Sequence, residues 1–382
     1  MLRITRGEDS KLTSWYFEID RKLLTIILLL VGVGAIMMIT AGAAQAAHMR
    51  PPQPWFYFIV KAIPAYLVGL SGLFIFSMLN KQQIIKLSVV GALVGIIGLL
   101  VTVVHPVMMK GSARWAHIGG FGFMPADVLK PSFIILTAWF LDKMRKTFGE
   151  NIFLNKQAWR FKWLSWWPYM ILFGICVLII FRHPDIGTAS LYVAVLFAML
   201  LVAGFPLKWL PGVGVLVCVM AMAALSKSHV RERAMDMFTV KPFTQVWYSL
   251  NSIRHGGLLG SGEEAYVKDV LPESTNDFIY SAIAEDWGAL VACGLVVVLF
   301  VLFNMLINHA IHAKDRFVVY AVSGTAALFA GQICFNLMTA LHLIINKGMT
   351  LPFISYGGIS FISFCVLFGM VLALIREDMW NK

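Results

Sequence analysis

Charge is what this chain has least of. Only 13% of its 382 residues are Asp, Glu, Lys or Arg, against about 25% in an ordinary soluble domain. So little charge cannot coat a water-facing surface, which leaves lipid as the solvent. Cysteine is also scarce: Cys176, Cys218, Cys293, Cys334 and Cys365 all fall inside apolar runs. None has a partner in its own loop, so they read as small buried hydrophobes, not as a disulfide framework or a metal cluster. Long basic stretches interleaved with aromatics are missing, so the +11 net charge does not mean nucleic acid. In a membrane protein such an excess belongs to cytoplasmic loops and anionic headgroups. No extramembrane domain, linker or low-complexity stretch is visible, nor the internal repeat common in transporters.

Apolar sequence is what remains, at 59% of the chain. Ten segments read as spans: Leu23–Thr40, Trp55–Leu79, Leu87–Val104, Pro125–Leu141, Trp167–Phe181, Ile186–Gly204, Trp209–Leu225, Phe278–Ile307, Phe317–Leu343 and Leu351–Ile375. A crossing helix takes about 20 residues, with a range of about 17–25. The fourth and fifth are therefore short, and the eighth is long enough to project from the bilayer. The expected fold is all-α: one polytopic membrane domain over residues 1–382, with about ten transmembrane helices, a tail over 1–22 and a large loop over 226–276 between helices seven and eight. A basic start, an apolar run and AGAAQAA also resemble a signal peptide. However, Leu23–Thr40 exceeds the usual 7–15-residue core, so it is read as a span.

Positive charge sets the orientation. With the N-terminus inside, 18 of the 31 Lys and Arg residues fall on inside segments. Six of the other 13 sit in the one long loop, whose length weakens their vote. Both termini are therefore expected in the cytoplasm.

The outward connections collect the polar residues that lipid disfavours. They read GSARWAHIGGFGFMPADVLK, RHPDIGT, HVRERAMDMF, NSIRHGGLLGSG, VLPESTNDFIYSAIAEDWG and NKGMTLPFISYGG. Asp277 follows a Pro-Glu-Ser-Thr-Asn turn at the start of a long apolar helix. Spacing alone leaves two readings open, a helix cap or a carboxylate facing an outer cleft. The glycines of HGGLLGSG could cradle phosphate. With no strand before them and no GK[ST] ending, a flexible turn is the better reading. His183 beside Asp185 lacks a second His at ligand spacing, so it reads as a helix-end pair and no metal site is expected. Trp163, Trp166 and Trp167 read as an interfacial aromatic belt.

Four of these stretches resemble, in order, the signatures of the SEDS family (shape, elongation, division, sporulation). GSARWAHIGGFGFMPADVLK resembles GA-x-RW…PSE-x-x-K, and RHPDIGT resembles QPDLGT. SIRHGGLLGSG with LPESTNDFIYSAIAEDWG resembles IGSGGL-x-G-x-G with LPEAHTDFIFA-x-IGEELG. NKGMTLPFISYGG is similar to TKGLTLPFISYGG, the most specific of the four. Departures are His183 for Gln, Met124 for Gln, Asp127 for Glu, Asn276 for Thr and Ala284 for Gly. The start, DSKLTSWYFEIDRKLL, is closer to the division (FtsW) branch than to the elongation (RodA) branch.

The resemblance implies polymerisation of lipid II into glycan strands at the outer membrane surface. It assigns the catalytic carboxylate to Asp277, the essential basic pair to Arg114 and Lys130, and a further acidic position to Asp185. The implied reaction inverts an α-linked lipid-pyrophosphate donor, so it calls for one general base and for positive charge on a good leaving group. Arg231, Arg233, Glu273 and Lys347 are second-rank substrate contacts, and the chemistry admits magnesium. Without a domain for transpeptidation, the resemblance implies a class B penicillin-binding protein as partner, with other division-site membrane proteins, at the septum of the bacterial inner membrane. The rival readings are a lipid-precursor flippase, which calls for charges at mid-bilayer, and a scaffold without chemistry.

Overall fold

The computed structural model describes residues 11–109, 112–118, 121–160, 162–183, 185–212, 214–215, 222, 231, 240–345 and 348–380. A short helix α1 (Lys11–Glu18) leads into α2 (Arg21–Ala47), α3 (Tyr57–Ser77) and α4 (Lys81–Val104). Three short strands follow: β1 (Val107–Met109), β2 (Ser112–Ile118) and β3 (Phe121–Phe123). Then come α5 (Pro125–Phe148), α6 (Trp166–Arg182), α7 (Ile186–Val202), α8 (Gln245–Gly256), α9 (Val267–Val270), α10 (Ile279–His312), α11 (Arg316–Ala340) and α12 (Gly358–Trp380).

Six of these helices, α2, α3, α4, α10, α11 and α12, are long and apolar enough to cross a membrane. The shorter α6 and α7 are equally apolar. The chain is a polytopic membrane protein. Its helix starts are locally encoded. Asn80 and Gln83 form a reciprocal capping box at α4, where side chains satisfy N–H groups that the helix cannot. Asp315 caps α11 and Asp185 caps α7. At α5, Pro125 and Asp127 occupy the first turn and Arg145 and Lys146 the last, matching the helix dipole at both ends.

Nine of the ten expected spans appear as helices, and the seventh, Trp209–Leu225, lies mostly outside the described residues. Several boundaries move, α2 running on to Ala47 and α4 starting at Lys81 among them, and three bear on the site. Helix α5 runs 24 residues, because its polar last turn, which hydropathy does not register, continues to Phe148. Helix α11 stops at Ala340. Helix α12 starts at Gly358, and residues 351–357 stay out of it to line the site described below. The connection before α5 is not a plain loop but an antiparallel meander in the order β1-β2-β3, with Val107 opposite Trp115 and Ala116 opposite Phe123. It packs on α4 and α5.

Of the six long apolar helices, α11 and α12 are the most enclosed. Around them α3 packs on α12, α5 and α7 on α11, and α8 and α11 on α10. Exposed apolar side chains such as Leu67, Val90, Ile97, Leu290 and Phe300 form the outer wall, as expected where lipid is the solvent. The helix ends sort into two faces. On one, Trp380 Nε1 donates to Glu18 O (3.0 Å), Trp15 Nε1 to Ser77 Oγ (2.9 Å), and Lys81 pairs with Asp315. Helix α1 and the end of α12, the first and last described segments, lie on this face, the face of the chain ends. A cavity of about 330 Å³ lined by Lys81, Lys314, Asp315, Glu377 and Asp378 also opens there. The other face carries β1–β3, α8, α9 and nearly every residue singled out for chemistry.

Candidate active site

Residues 273–278 form a tight turn in which the amides of Asn276 and Phe278 both donate to Glu273 O. Glu273 is held at φ 60°, and its side chain accepts a 2.6 Å bond from Asn276 Nδ2. The N-cap position of α10 is Phe278, so Asp277 stands one residue outside the helix with a half-buried carboxylate.

The segment after α11 holds this turn. Ser355 Oγ donates to Asn276 O (2.6 Å), and Tyr356 N donates to Thr275 O (2.8 Å). Phe353 roots the segment: at φ 66° it inserts among Phe329, Phe364 and Phe368, at ring-centroid distances of 5.1–6.3 Å. The LPFISYGG stretch is thus a buttress for the Asp277 turn. Gly348 runs so close to Asp277 that a β-carbon there would overlap Oδ2.

Lys130 lies on the first turns of α5, 4% exposed. Its ammonium sits 2.6 Å from Asp127 Oδ1 and donates to Gln332 Oε1 at 2.9 Å. An isolated buried ammonium would be very costly, and the Asp127 pairing offsets that cost. Gln332 Nε2 donates in turn to Thr350 O (2.9 Å), and Asn336 Nδ2 donates to Asp277 O (2.9 Å) and Met349 O (2.7 Å). Lys130 and Asp277 are thereby joined through α11 and residues 349–350.

Arg114 on β2 forms a second pair, 3.7 Å from Asp185 Oδ2 and about one-third exposed. At that distance it is an ion pair without a hydrogen bond. Asp185 also caps α7, accepting from Thr188 N (3.2 Å) and Thr188 Oγ1 (2.9 Å). Arg231 is exposed, while Arg233 and Lys347 lie outside the described residues. His183 is buried, and burial pushes its imidazole below the usual histidine range against the opposing pull of Thr102 and Asp185. Among the described residues no group of three or more His, Cys, Asp or Glu is placed to hold a metal ion.

The glycine run forms a turn packed closely against α10. A β-carbon on Gly256 or Gly260 would overlap the main chain of Ala284 or Asp286, and one on Gly288 would overlap Leu258 O and Gly260 N. Helix α10 bends at Gly288, φ 81°, and Ala289 N and Leu290 N donate to Gly257 O and Leu258 O. The fully buried Glu285 accepts from Ser252 Oγ, from His255 Nδ1 (2.9 Å) and from the amides of Tyr266, Val267 and Lys268 (2.7–3.1 Å). One carboxylate thus ties α8 and α9 to the first turns of α10, just beyond Asp277.

Sequence reasoning passed over Gln332, Asn336, Gly348 and Glu285. A signal for two of them was there: amides four residues apart in an otherwise apolar span share one helix face and are costly in lipid.

A description of cell cycle proteins of the FtsW/RodA/SpoVE type matches residues 21–379. The chain belongs to that family. A probable peptidoglycan glycosyltransferase FtsW of Caulobacter vibrioides is 29% identical over 383 residues, covering 97% of this chain and 93% of its own. One of Thiomicrospira cyclica is 27% identical, covering 95% and 94%. The fold is similar to that of a chain from a solved peptidoglycan synthase complex that coordinates polymerization and crosslinking, with a TM-score of 0.74 at 21% identity over 95% of this chain and 99% of that one. It is also similar to the rod shape determining protein RodA of Thermus thermophilus, with a TM-score of 0.67 at 21% identity over 94% of this chain and 97% of that one.

Proposed function

We propose that this chain is a peptidoglycan glycosyltransferase of the FtsW type, polymerising lipid II at the outer face of the bacterial inner membrane during septal wall synthesis. Family membership and FtsW-named relatives that match nearly end to end support this reading. The observation that carries it is the gathering of a half-buried carboxylate, Asp277, and the cations Arg114 and Lys130 on the face opposite the chain ends. A flippase would call for such charges along mid-bilayer.

In this mechanism Asp277 takes the proton from the acceptor 4-hydroxyl. That oxygen bonds to the donor's anomeric carbon as the carbon–oxygen bond to pyrophosphate breaks. The lipid pyrophosphate leaves with the electron pair, and an α-linked donor becomes a β-linked strand by one inversion. Arg114, beside Asp185, suits a bidentate grip on phosphate. Lys130 is neutralised by Asp127, so it would contribute positive charge only by exchanging that partner for phosphate. Asp185 orients Arg114, and Arg231, Glu273 and Lys347 are further substrate contacts. The partner in this reading is a class B penicillin-binding protein with other division-site membrane proteins. The likeness to a complex that couples polymerization with crosslinking supports that pairing.

The test is glycan-strand formation from labelled lipid II by purified protein, alone and with its class B partner, comparing wild type with Asp277→Asn. Loss of a general base lowers rates by about 10²–10⁴-fold, and a loss of that size in a folded variant is the expected result. An Asp277→Asn protein with near-normal polymerisation would remove the base assignment. Precursor crossing liposome bilayers without any strand would favour the flippase.

A further inference from the structure

Gln332 and Asn336 stand one turn apart on α11, 2% and 0% exposed. A buried primary amide is costly unless its hydrogen bonds are made. The bonds described for these two all run to other segments, and of their side-chain polar atoms only Asn336 Oδ1 has no partner among the described residues. Gln332 links Lys130 on α5 to Thr350, with Thr350 Oγ1 and Ser360 Oγ also within 3.3 Å of its Nε2. Asn336 links the main chain of Asp277 to that of Met349. Met349 and Thr350 are consecutive, so Asp127, Lys130, Gln332, Thr350, Met349, Asn336 and Asp277 form one connected path across four segments: α5, α11, residues 349–350 and the Asp277 turn. No other contact described above ties Lys130 to the Asp277 turn.

Hydrophobic packing alone would not fix this relation. Apolar side chains on α11 would fill the same space, yet they would leave the Asp277 turn and residues 349–350 free to slide by a fraction of an ångström. A fixed amide sets both distance and direction. Displacing reacting groups by about 1 Å can cost about 10²-fold in rate.

We propose that Gln332 and Asn336 are positioning residues that fix the separation of the Asp277 carboxylate and the Lys130 ammonium, and so set the turnover rate of glycosyl transfer without binding substrate themselves. The proposal rests on the glycosyltransferase reading above.

Gln332→Leu and Asn336→Leu, in full-length protein in nanodiscs with the class B partner, test it by two readouts. In lipid II polymerisation each variant is expected to lose about 10–10²-fold in kcat while KM stays within about threefold, and to remain monodisperse. In hydrogen exchange, the amides of residues 275–280 and 349–356 are expected to exchange faster in the variants, with α3 and α4 unchanged. Folded variants with wild-type kcat would overturn the proposal, and so would activity lost only in proportion to folded protein. Wild type that makes no strand would count against the glycosyltransferase reading instead. The exchange readout would then still decide, since unchanged protection at residues 275–280 would overturn the positioning role.

Discussion

Gly348 and Asp277 are in such close register that the glycine's missing side chain is part of the site. A β-carbon there would meet the far end of the Asp277 side chain, which can swing aside at little cost to the fold. Gly348→Ala should therefore separate function from stability. Polymerisation should fall by about 10–10²-fold, with the melting temperature in detergent nearly unchanged. Full activity in that variant would mean that the carboxylate does not act from where it sits. His183 offers a pH test. Its imidazole is held below the usual histidine value, chiefly by burial, so near pH 6 the unfolded chain takes up a proton more readily than the folded one. Its contribution to stability is complete above the unfolded value of about 6.5 and is lost as pH falls through the lower folded value. Wild type should lose stability relative to His183→Gln between pH 6.5 and 5, by no more than about 1.4 kcal/mol per pH unit, read as a falling melting temperature. Parallel curves for the two proteins would exclude the effect.

Among the elements, α10 with the glycine run shows how local sequence becomes geometry. The bend at Gly288 requires φ 81° with ψ 169°, a region essentially reserved for glycine that costs other residues about 1–3 kcal/mol, and main-chain atoms of residues 258–260 occupy the space a side chain would need. Gly294, six residues on in the same helix, faces open space at ordinary helical dihedrals. Gly288→Ala should thus lower the melting temperature by several degrees and weaken activity through the Asp277 turn. Gly294→Ala should be neutral or gain up to about 1 kcal/mol. Equal effects at the two sites, read by thermal unfolding in detergent, would remove the strained bend from this account. The spans themselves were legible because lipid demands long apolar runs whatever the tertiary fold. The meander at 107–123 was not, since strands as short as three residues have too few positions for alternation to register. The last helix was read as starting too early because LPFIS is as apolar as a span. Its Phe353 is buried among other phenylalanines while its backbone turns to meet residues 275 and 276.

For the molecule as a whole, the two faces set up a topology experiment. Leu259 lies exposed beside the glycine run, and Lys314 is exposed at the α10–α11 turn on the face of the chain ends. The charge count puts the latter face in the cytoplasm. Leu259→Cys should react with a membrane-impermeant maleimide in cells whose outer barrier alone has been opened. Lys314→Cys should react only after the inner membrane is permeabilised. The reverse pattern would invert the protein and move the candidate site to the cytoplasmic side. Polar contacts tie the face of the chain ends together, with Lys81 N donating to Glu377 and the amides of Lys314 and Asp315 donating to Asp378.

By itself the sequence determined that the chain lives in lipid and roughly where nine of its helices run, and it supplied an expected orientation and a set of outer stretches as candidates for chemistry. These follow from composition and charge, local properties that need no neighbour. It could also nominate Asp277, Arg114, Lys130 and Asp185, but it could not say which stand together. Only the tertiary structure paired Lys130 with Asp127 and Gln332, set Arg114 against Asp185, and turned an apolar LPFISYGG segment into the support of the Asp277 turn. The physical reason is that those contacts join residues up to about two hundred positions apart. Hydropathy and spacing carry information over a helix turn, whereas a buried hydrogen bond is decided by whichever segments the packing brings within 3 Å.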